Sequence, residues 1–163
     1  MMTSPIILAL DTKDLDTAKS WIEATNGSIN TYKFGLEFYL KFGAAGLRKL
    51  SEAGDFEIFL DLKLHDIPNT VGQAAGAVAH LQPRFLTVHA SGGKAMVQAA
   101  VKAMPDTYIT GVTVLTSLSE DDVSEIGFAS NALNTAVSMA KVATNAGARA
   151  IVCSPLEIAA VRE

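Results

Sequence analysis

Phe59-Leu60-Asp61-Leu62-Lys63-Leu64-His65-Asp66-Ile67-Pro68-Asn69-Thr70 is the stretch whose reading decides the fold. Its first half alternates. Leu60, Leu62 and Leu64 fall on one side of an extended strand, and Phe59, Asp61 and Lys63 on the other, because strand side chains alternate with period two. A strand charged on one face belongs beside water. The other strands of this chain read instead as near-continuous apolar runs, the mark of a parallel sheet covered on both faces. Asp61 and Lys63, with Asp66 three residues on, are then expected inside the protein, where charges are costly unless paired.

Before this stretch, Ile6-Ile7-Leu8-Ala9-Leu10-Asp11 reads as a buried strand ending on an acid. Asp14 is placed to cap a helix whose stripe is Leu15, Ala18 and Ile22, and Asn26-Gly27 ends it. Thr31 to Leu36 is a second strand, and a helix through Leu47 and Leu50 stops at Gly54. After the stretch, Asn69 is expected to cap a helix with Val71, Ala74, Ala75, Val78 and Ala79 on its apolar face. Phe85 to Ala90 is a strand, and Ser91-Gly92-Gly93 turns into a helix ending at Pro105. Ile109 to Leu115 is a strand, followed by a helix with the acidic first turn Glu120-Asp121-Asp122. A longer helix runs from about Leu133 to Ala146, Ala150 to Ser154 is a sixth strand, and a helix begins after Pro155.

Strand and helix thus alternate six times without a linker. That order fits an open doubly wound sheet or part of a (β/α)8 barrel. The strand ends discriminate: Asp11, Lys33, Asp61 with Lys63, His89, Thr116 and Ser154 all lie at C-terminal ends, which converge in a barrel and spread out along an open sheet. No Gly-x-Gly-x-x-Gly follows the first strand. The expected class is α/β, a parallel (β/α)8 TIM barrel of which this chain supplies about six β/α units. Residues 1–163 are expected to form a single barrel domain, C-terminally incomplete, with strands seven and eight absent, so that the chain reads as a fragment.

Composition narrows the partners. The chain has 163 residues, 49% hydrophobic and 18% charged, with net charge −4 from 13 basic and 17 acidic residues. Without a basic run, nucleic-acid binding is not expected. No apolar run approaches the ~20 residues of a membrane span, and no secretory leader is evident, so a cytoplasmic location is expected. Cys153 is unpaired and reads as a small buried hydrophobe. Histidines and cysteine show no zinc spacing, so no metal is expected.

Lys33, Asp61 and Lys63 alternate in charge. At ~4 Å and an effective dielectric near 20, each opposite pair gains about 4 kcal/mol before desolvation. A cationic lysine held there is a proton donor or an anion anchor rather than a base. A purely structural ion pair is the competing reading, and two charges on the inner face of a barrel strand are expensive for structure alone. Asp11 as a loop cap and Lys33 as a snorkelling surface lysine compete in the same way. His89 and Ser154 are possible members of the site; His65 and His80 read as structural or exposed.

Asp61-x-Lys63-x-x-Asp66-Ile67-Pro68-Asn69-Thr70 resembles the signature of the orotidine 5′-phosphate decarboxylase family. The likeness extends to Ala9-Leu10-Asp11, Tyr32-Lys33-Phe34-Gly35, Val88-His89-Ala90-Ser91-Gly92-Gly93, Val112-Thr113-Val114-Leu115-Thr116-Ser117 and Val152-Cys153-Ser154. The resemblance implies conversion of orotidine 5′-monophosphate to UMP and CO2 in de novo pyrimidine biosynthesis, without metal or organic cofactor. It implies that Asp11 and Lys33 bind the ribose hydroxyls. It makes Lys33, Asp61, Lys63 and Asp66 the catalytic network, with Lys63 protonating C6 and Asp61 beside the departing carboxylate. Asp66, Ile67 and Thr70 would reach the neighbouring site of a homodimer, and Thr116 would contact the pyrimidine. The family's phosphate grip, a glutamine and a Gly-Arg pair after strands seven and eight, has no counterpart in these 163 residues, so weak binding and turnover are expected of this chain alone. Two other readings remain: a Mg-dependent sister enzyme resembling 3-keto-L-gulonate 6-phosphate decarboxylase or hexulose-phosphate synthase, which carries an acid where Lys33 sits, and a non-catalytic half-barrel binding module.

Overall fold

The computed structural model describes residues 4–163. Strands β1 (Ile7–Ala9), β2 (Thr31–Gly35), β3 (Glu57–Leu64), β4 (Phe85–His89), β5 (Tyr108–Val112) and β6 (Ala150–Val152) form one six-stranded sheet. Every neighbouring pair is parallel and the strand order is the chain order. A doubly wound sheet reverses direction of growth at a switch point. This sheet never does, so it is the run of consecutive β/α units that builds a barrel, six of them, open between β1 and β6.

Helices α1 (Leu15–Thr25), α2 (Leu36–Leu50), α3 (Pro68–Val78), α4 (Gly93–Ala103), α5 (Glu120–Glu125), α6 (Ala132–Asn145) and α7 (Ile158–Arg162) fill the connections. They cover one face of the sheet. Leu10, Tyr32, Phe34, Leu60, Leu86, Val88 and Ile109 point into that layer and are fully buried. They meet Ala18 and Ile22 of α1, Leu47 and Leu50 of α2, Val71 and Ala75 of α3, and Met96, Val97 and Ala100 of α4. Each such large side chain contributes roughly 1.5–3 kcal/mol by leaving water. At Gly111 a Cβ would come within 2.6 Å of the Ala143 Cβ, so only glycine lets α6 lie this close to β5.

The opposite face carries the other half of each alternation. Near the N-terminal strand ends, Phe59, Phe85 and Tyr108 stack in series, with centroids 5.3 and 5.5 Å apart. Arg84 lies over Phe85 and Tyr108 and pairs with Glu57, which also accepts from the Thr31 hydroxyl; Arg149 sits 4.1 Å from the Tyr108 centroid. This floor of rings and cations closes one end. Asp61 and Thr87 stand above it, one side-chain step nearer the C-terminal ends.

Several boundaries differ from the sequence reading. Asp14 caps α1 as expected, accepting the Thr17 N–H at 2.7 Å. The cap of α3 is not Asn69. The helix starts at Pro68, whose missing N–H and fixed φ suit the first helical position, and Ile67 is the extended residue before it. Strand β5 ends at Val112 rather than Leu115, and β6 at Val152 rather than Ser154. The Thr113 hydroxyl donates to the Val152 carbonyl at 3.0 Å, which closes the sheet there and turns the chain away. Helix α2 is broken at Gly43, where φ is +57°, into two segments. Cys153 is only partly buried; it lines an open cleft along β6 with Arg149, Ile151, Ile158 and Arg162. Among the described residues, no helix is long and apolar enough to cross a membrane.

Candidate active site

The C-terminal strand ends bring four charged side chains into one row. Asp11 follows β1, Lys33 is on β2, and Asp61 and Lys63 are on β3. Lys33 Nζ lies 3.6 Å from Asp11 Oδ1 and 3.4 Å from Asp61 Oδ2; Lys63 Nζ lies 2.8 Å from Asp61 Oδ1. Asp61 is the centre, with 13% of its side chain exposed and each oxygen facing a different ammonium. Burial alone would raise its carboxyl above the ordinary 3.8. The Lys63 hydrogen bond and charge, the Lys33 charge and the Thr87 hydroxyl outweigh that and hold it below 3.8, so it is ionised at neutral pH.

Local backbone geometry creates this arrangement. Leu60 pairs with Leu86 of β4 and Leu64 with Val88, so three residues of β3 stand against one of β4. The bulge falls on the decisive stretch, and Lys63 takes φ +49°, the left-handed region. For a residue with a long side chain that conformation costs roughly 1–3 kcal/mol and persists only when its surroundings impose it. Here the Lys63 N–H donates to Thr87 Oγ1 at 2.8 Å, and the Thr87 hydroxyl donates to Asp61 Oδ1 at 3.1 Å. Thr87 is missing from the sequence reading: one threonine inside Phe85-Leu86-Thr87-Val88-His89 looks like an ordinary strand former.

The row lines a cavity of about 240 Å³ with Thr12, Gly35, Glu37 and Phe38. A Cβ on Gly35 would stand 3.5 Å from Asp11 Oδ1 and 3.8 Å from Lys33 Nζ, so any side chain there would project among the charged groups. Beyond Lys63, the His65 and His89 rings pack with centroids 5.2 Å apart. Burial, then the charges of His65 and Lys63, push His89 below the usual histidine value, so it is neutral at neutral pH. His65 is exposed, as expected. At Gly92 a Cβ would meet the Met96 sulfur at 2.1 Å and the His65 ring at 3.2 Å, so a side chain there would have to displace the buried end of Met96.

Other expected members are not joined to the row within this chain. Asp66, Ile67 and Thr70 are exposed on the loop and first turn after β3, and Asp66 Oδ1 accepts the Ile67 N–H at 2.6 Å. Thr116 is exposed in a turn four residues past β5. Ser154 caps the short 3-10 turn Pro155–Glu157: its hydroxyl accepts the Leu156 N–H, and its own N–H donates to Glu157 at 2.8 Å. Among the described residues, no three His, Cys, Asp or Glu side chains cluster as metal ligands would.

The profile of the "Orotidine 5'-phosphate decarboxylase / HUMPS family" matches residues 4–163. The chain belongs to that family. It is 50% identical over 161 residues to the orotidine 5'-phosphate decarboxylase of Thermobifida fusca, covering 99% of this chain and 69% of the relative. The Sphingopyxis alaskensis protein of the same name is 44% identical over 163 residues, covering 99% and 72%. Among solved structures, the orotidine 5'-phosphate decarboxylase of Lactobacillus acidophilus superposes with a TM-score of 0.87 at 34% identity, covering 98% of this chain and 75% of the other. A conserved protein of Geobacillus kaustophilus, described as uncharacterized, gives 0.90 at 33% identity, covering 97% and 77%. Family membership therefore agrees with the order of the strands and with the decisive stretch.

Proposed function

We propose that this chain carries the chemical centre of an orotidine 5′-phosphate decarboxylase, a carboxy-lyase that converts orotidine 5′-monophosphate to UMP and CO2. The observation that carries the proposal is the Lys33–Asp61–Lys63 row, one carboxylate held between two ammonium groups at the C-terminal strand ends. Cleavage of the C6–carboxylate bond leaves its electron pair on C6, in the plane of the ring and outside the π system. Stabilisation must come from charge placed beside C6. Lys63 supplies that charge and then its proton, which ends on C6 of UMP, and the neutral amine recovers a proton from solvent. Asp61 keeps the Lys63 side chain aimed and lies beside the departing carboxylate. Asp11 and Lys33 bind the ribose hydroxyls, and the resemblance assigns the pyrimidine contact to Thr116.

A cavity of about 240 Å³ is smaller than the ~300–1,000 Å³ usual for ligand pockets. We infer that its remaining walls come from elsewhere. A second copy would present Asp66, Ile67 and Thr70 from its own β3–α3 loop. Leu36, which lines the cavity, Leu40 one turn on along α2, and Ile67 in the β3–α3 loop are exposed apolar side chains, which supports such a homodimer. Sizing chromatography with light scattering should give twice the mass of the chain, reduced to the monomer by Ile67→Glu; a monomeric wild type would contradict it. Two further strand–helix units at the open edges of β1 and β6, completing an eight-unit barrel, would supply the phosphate grip.

The Mg-dependent sister chemistry needs carboxylates free to bind the ion. Here Asp11 faces one ammonium and Asp61 two, and Lys33 is a cation where the resemblance implies an acid in the sister enzymes. UMP formation from orotidine 5′-monophosphate should be the same in EDTA and in magnesium. Loss of activity with chelator, restored by the metal, would overturn the reading; a chain that binds UMP but never forms it would favour a binding module.

A further inference from the structure

We propose that Thr87, which lies outside the charged row, is a positioning residue for this reaction, its hydroxyl fixing the Asp61 carboxylate and the left-handed backbone of Lys63 together. The proposal rests on the functional reading above. Thr87 is fully buried on the row's side of β4, between Phe85 and His89. It is the single β4 residue that stands opposite Asp61, Leu62 and Lys63 where the register slips.

The hydrogen-bond directions are fixed by chemistry. A backbone N–H can only donate, so the 2.8 Å contact from Lys63 makes Thr87 Oγ1 an acceptor. The hydroxyl's one proton is left for Asp61 Oδ1 at 3.1 Å, the same oxygen that takes Lys63 Nζ at 2.8 Å. Backbone and side chain of Lys63 are thus tied to one oxygen from two directions. A bulge leaves strand N–H groups without ladder partners; here the hydroxyl replaces the lost partner, and an unpartnered buried N–H would otherwise oppose the conformation. Lys63 therefore keeps φ +49° because Thr87 accepts its N–H.

The charged and titratable groups facing Asp61 are Lys63 on its own strand, Lys33 on β2 with Asp11 behind it, and His89 on β4 with His65 packed against it. Removing the Thr87 hydroxyl takes away one donor to Asp61 and leaves the others in place.

Thr87→Val and Thr87→Ser, made in the full 163-residue chain, test this by two independent readouts. The first is the titration of the Asp61 carboxylate followed by carbon NMR, which needs no turnover. The second is kcat and KM for orotidine 5′-monophosphate. The valine variant should raise the Asp61 pKa and lower kcat about tenfold to a hundredfold with little change in KM, as expected for a lost buried hydrogen bond that aims a catalytic group. The serine variant should restore both. An unchanged titration and kcat in Thr87→Val, or a serine variant as impaired as valine, would overturn the proposal and leave Thr87 a packing residue. Should valine prevent folding, Thr87→Ala against Thr87→Ser gives the same comparison. Weak turnover is expected of this chain alone, so where kcat is too low to compare, the Asp61 titration decides whether Thr87 holds that carboxylate; a wild type that neither binds UMP nor forms it would sink the functional reading instead.

Discussion

Lys63→Ala should abolish measurable decarboxylation while leaving UMP binding within a few fold of wild type. On the proposed mechanism the substitution removes both the proton donor and the positive charge beside C6. General acid catalysis is worth about 10²–10⁴-fold, and one preorganised electrostatic contact about 10²–10³-fold, so a combined loss of at least about 10⁴-fold is expected. The loss should fall on kcat, because the group acts as charge develops rather than on the bound nucleotide. Binding of UMP by calorimetry, alongside the rate of UMP formation, checks both halves. Near-normal turnover in this variant would remove Lys63 as the donor. Alanine also relieves the cost of a long side chain in the left-handed region only slightly, since alanine too is disfavoured there. The variant should fold but melt somewhat below wild type, because Asp61 keeps Lys33 and loses its nearer ammonium.

The second large effect is expected at Asp61. Asp61→Asn keeps the size of the side chain and removes the one negative charge between Lys33 and Lys63, which lie 3.4 and 2.8 Å from it. The two ammonium groups then face each other across a neutral amide. Breaking a fully buried pair costs 3–5 kcal/mol. Solvent reaches about a quarter of the Lys33 side chain and a third of Lys63, so screening reduces the expected loss to about 1–2 kcal/mol. Activity should suffer more than stability, with kcat falling roughly 10³-fold as Lys63 loses the partner that aims it. Thermal melting and steady-state kinetics on one preparation separate the two. Full activity in Asp61→Asn would mean that Lys63 is positioned by something other than this carboxylate.

Much of this was legible in the sequence because it depends on period and sign. The apolar run Ile6 to Leu10 marks a strand but not its burial: β1 is an edge of the open sheet, Ile6 and Ile7 are exposed and only Leu10 is fully buried. The alternation from Phe59 to Leu64 separates the helix-facing leucines from the charged row. Asp14 and the acids of Glu120-Asp121-Asp122 marked helix starts that the structure also has, with Ser119 and Asp122 forming a capping box. Asp11, Lys33, Asp61 and Lys63 were identified together because parallel β/α units place all their C-terminal strand ends on one side.

What the sequence hid depends on backbone detail. A period-two pattern shows which side a residue faces but not where the register slips, so the bulge and the positive φ of Lys63 had no signature. Thr87 was hidden for the same reason: its importance lies in what it stands opposite. The sequence pattern overruns the ends of β5 and β6 because Val114 and Cys153 continue the apolar run after the ladder has ended at Val112 and Val152. The sequence puts the cap of α3 two residues late, on Asn69, a good capping residue, whereas Ile67 is the cap and Pro68 already occupies the first helical position. Ser154 looked like a strand-end site residue, and its hydroxyl is engaged in a local cap.

The most direct test of the central claim is a crystal structure of this chain with UMP bound. The account predicts the pyrimidine C6 within about 3–3.5 Å of Lys63 Nζ, the separation a proton transfer needs, with the ribose hydroxyls on Asp11 and Lys33. A ring bound elsewhere, or bound in this cavity with C6 turned away from Lys63, would contradict it.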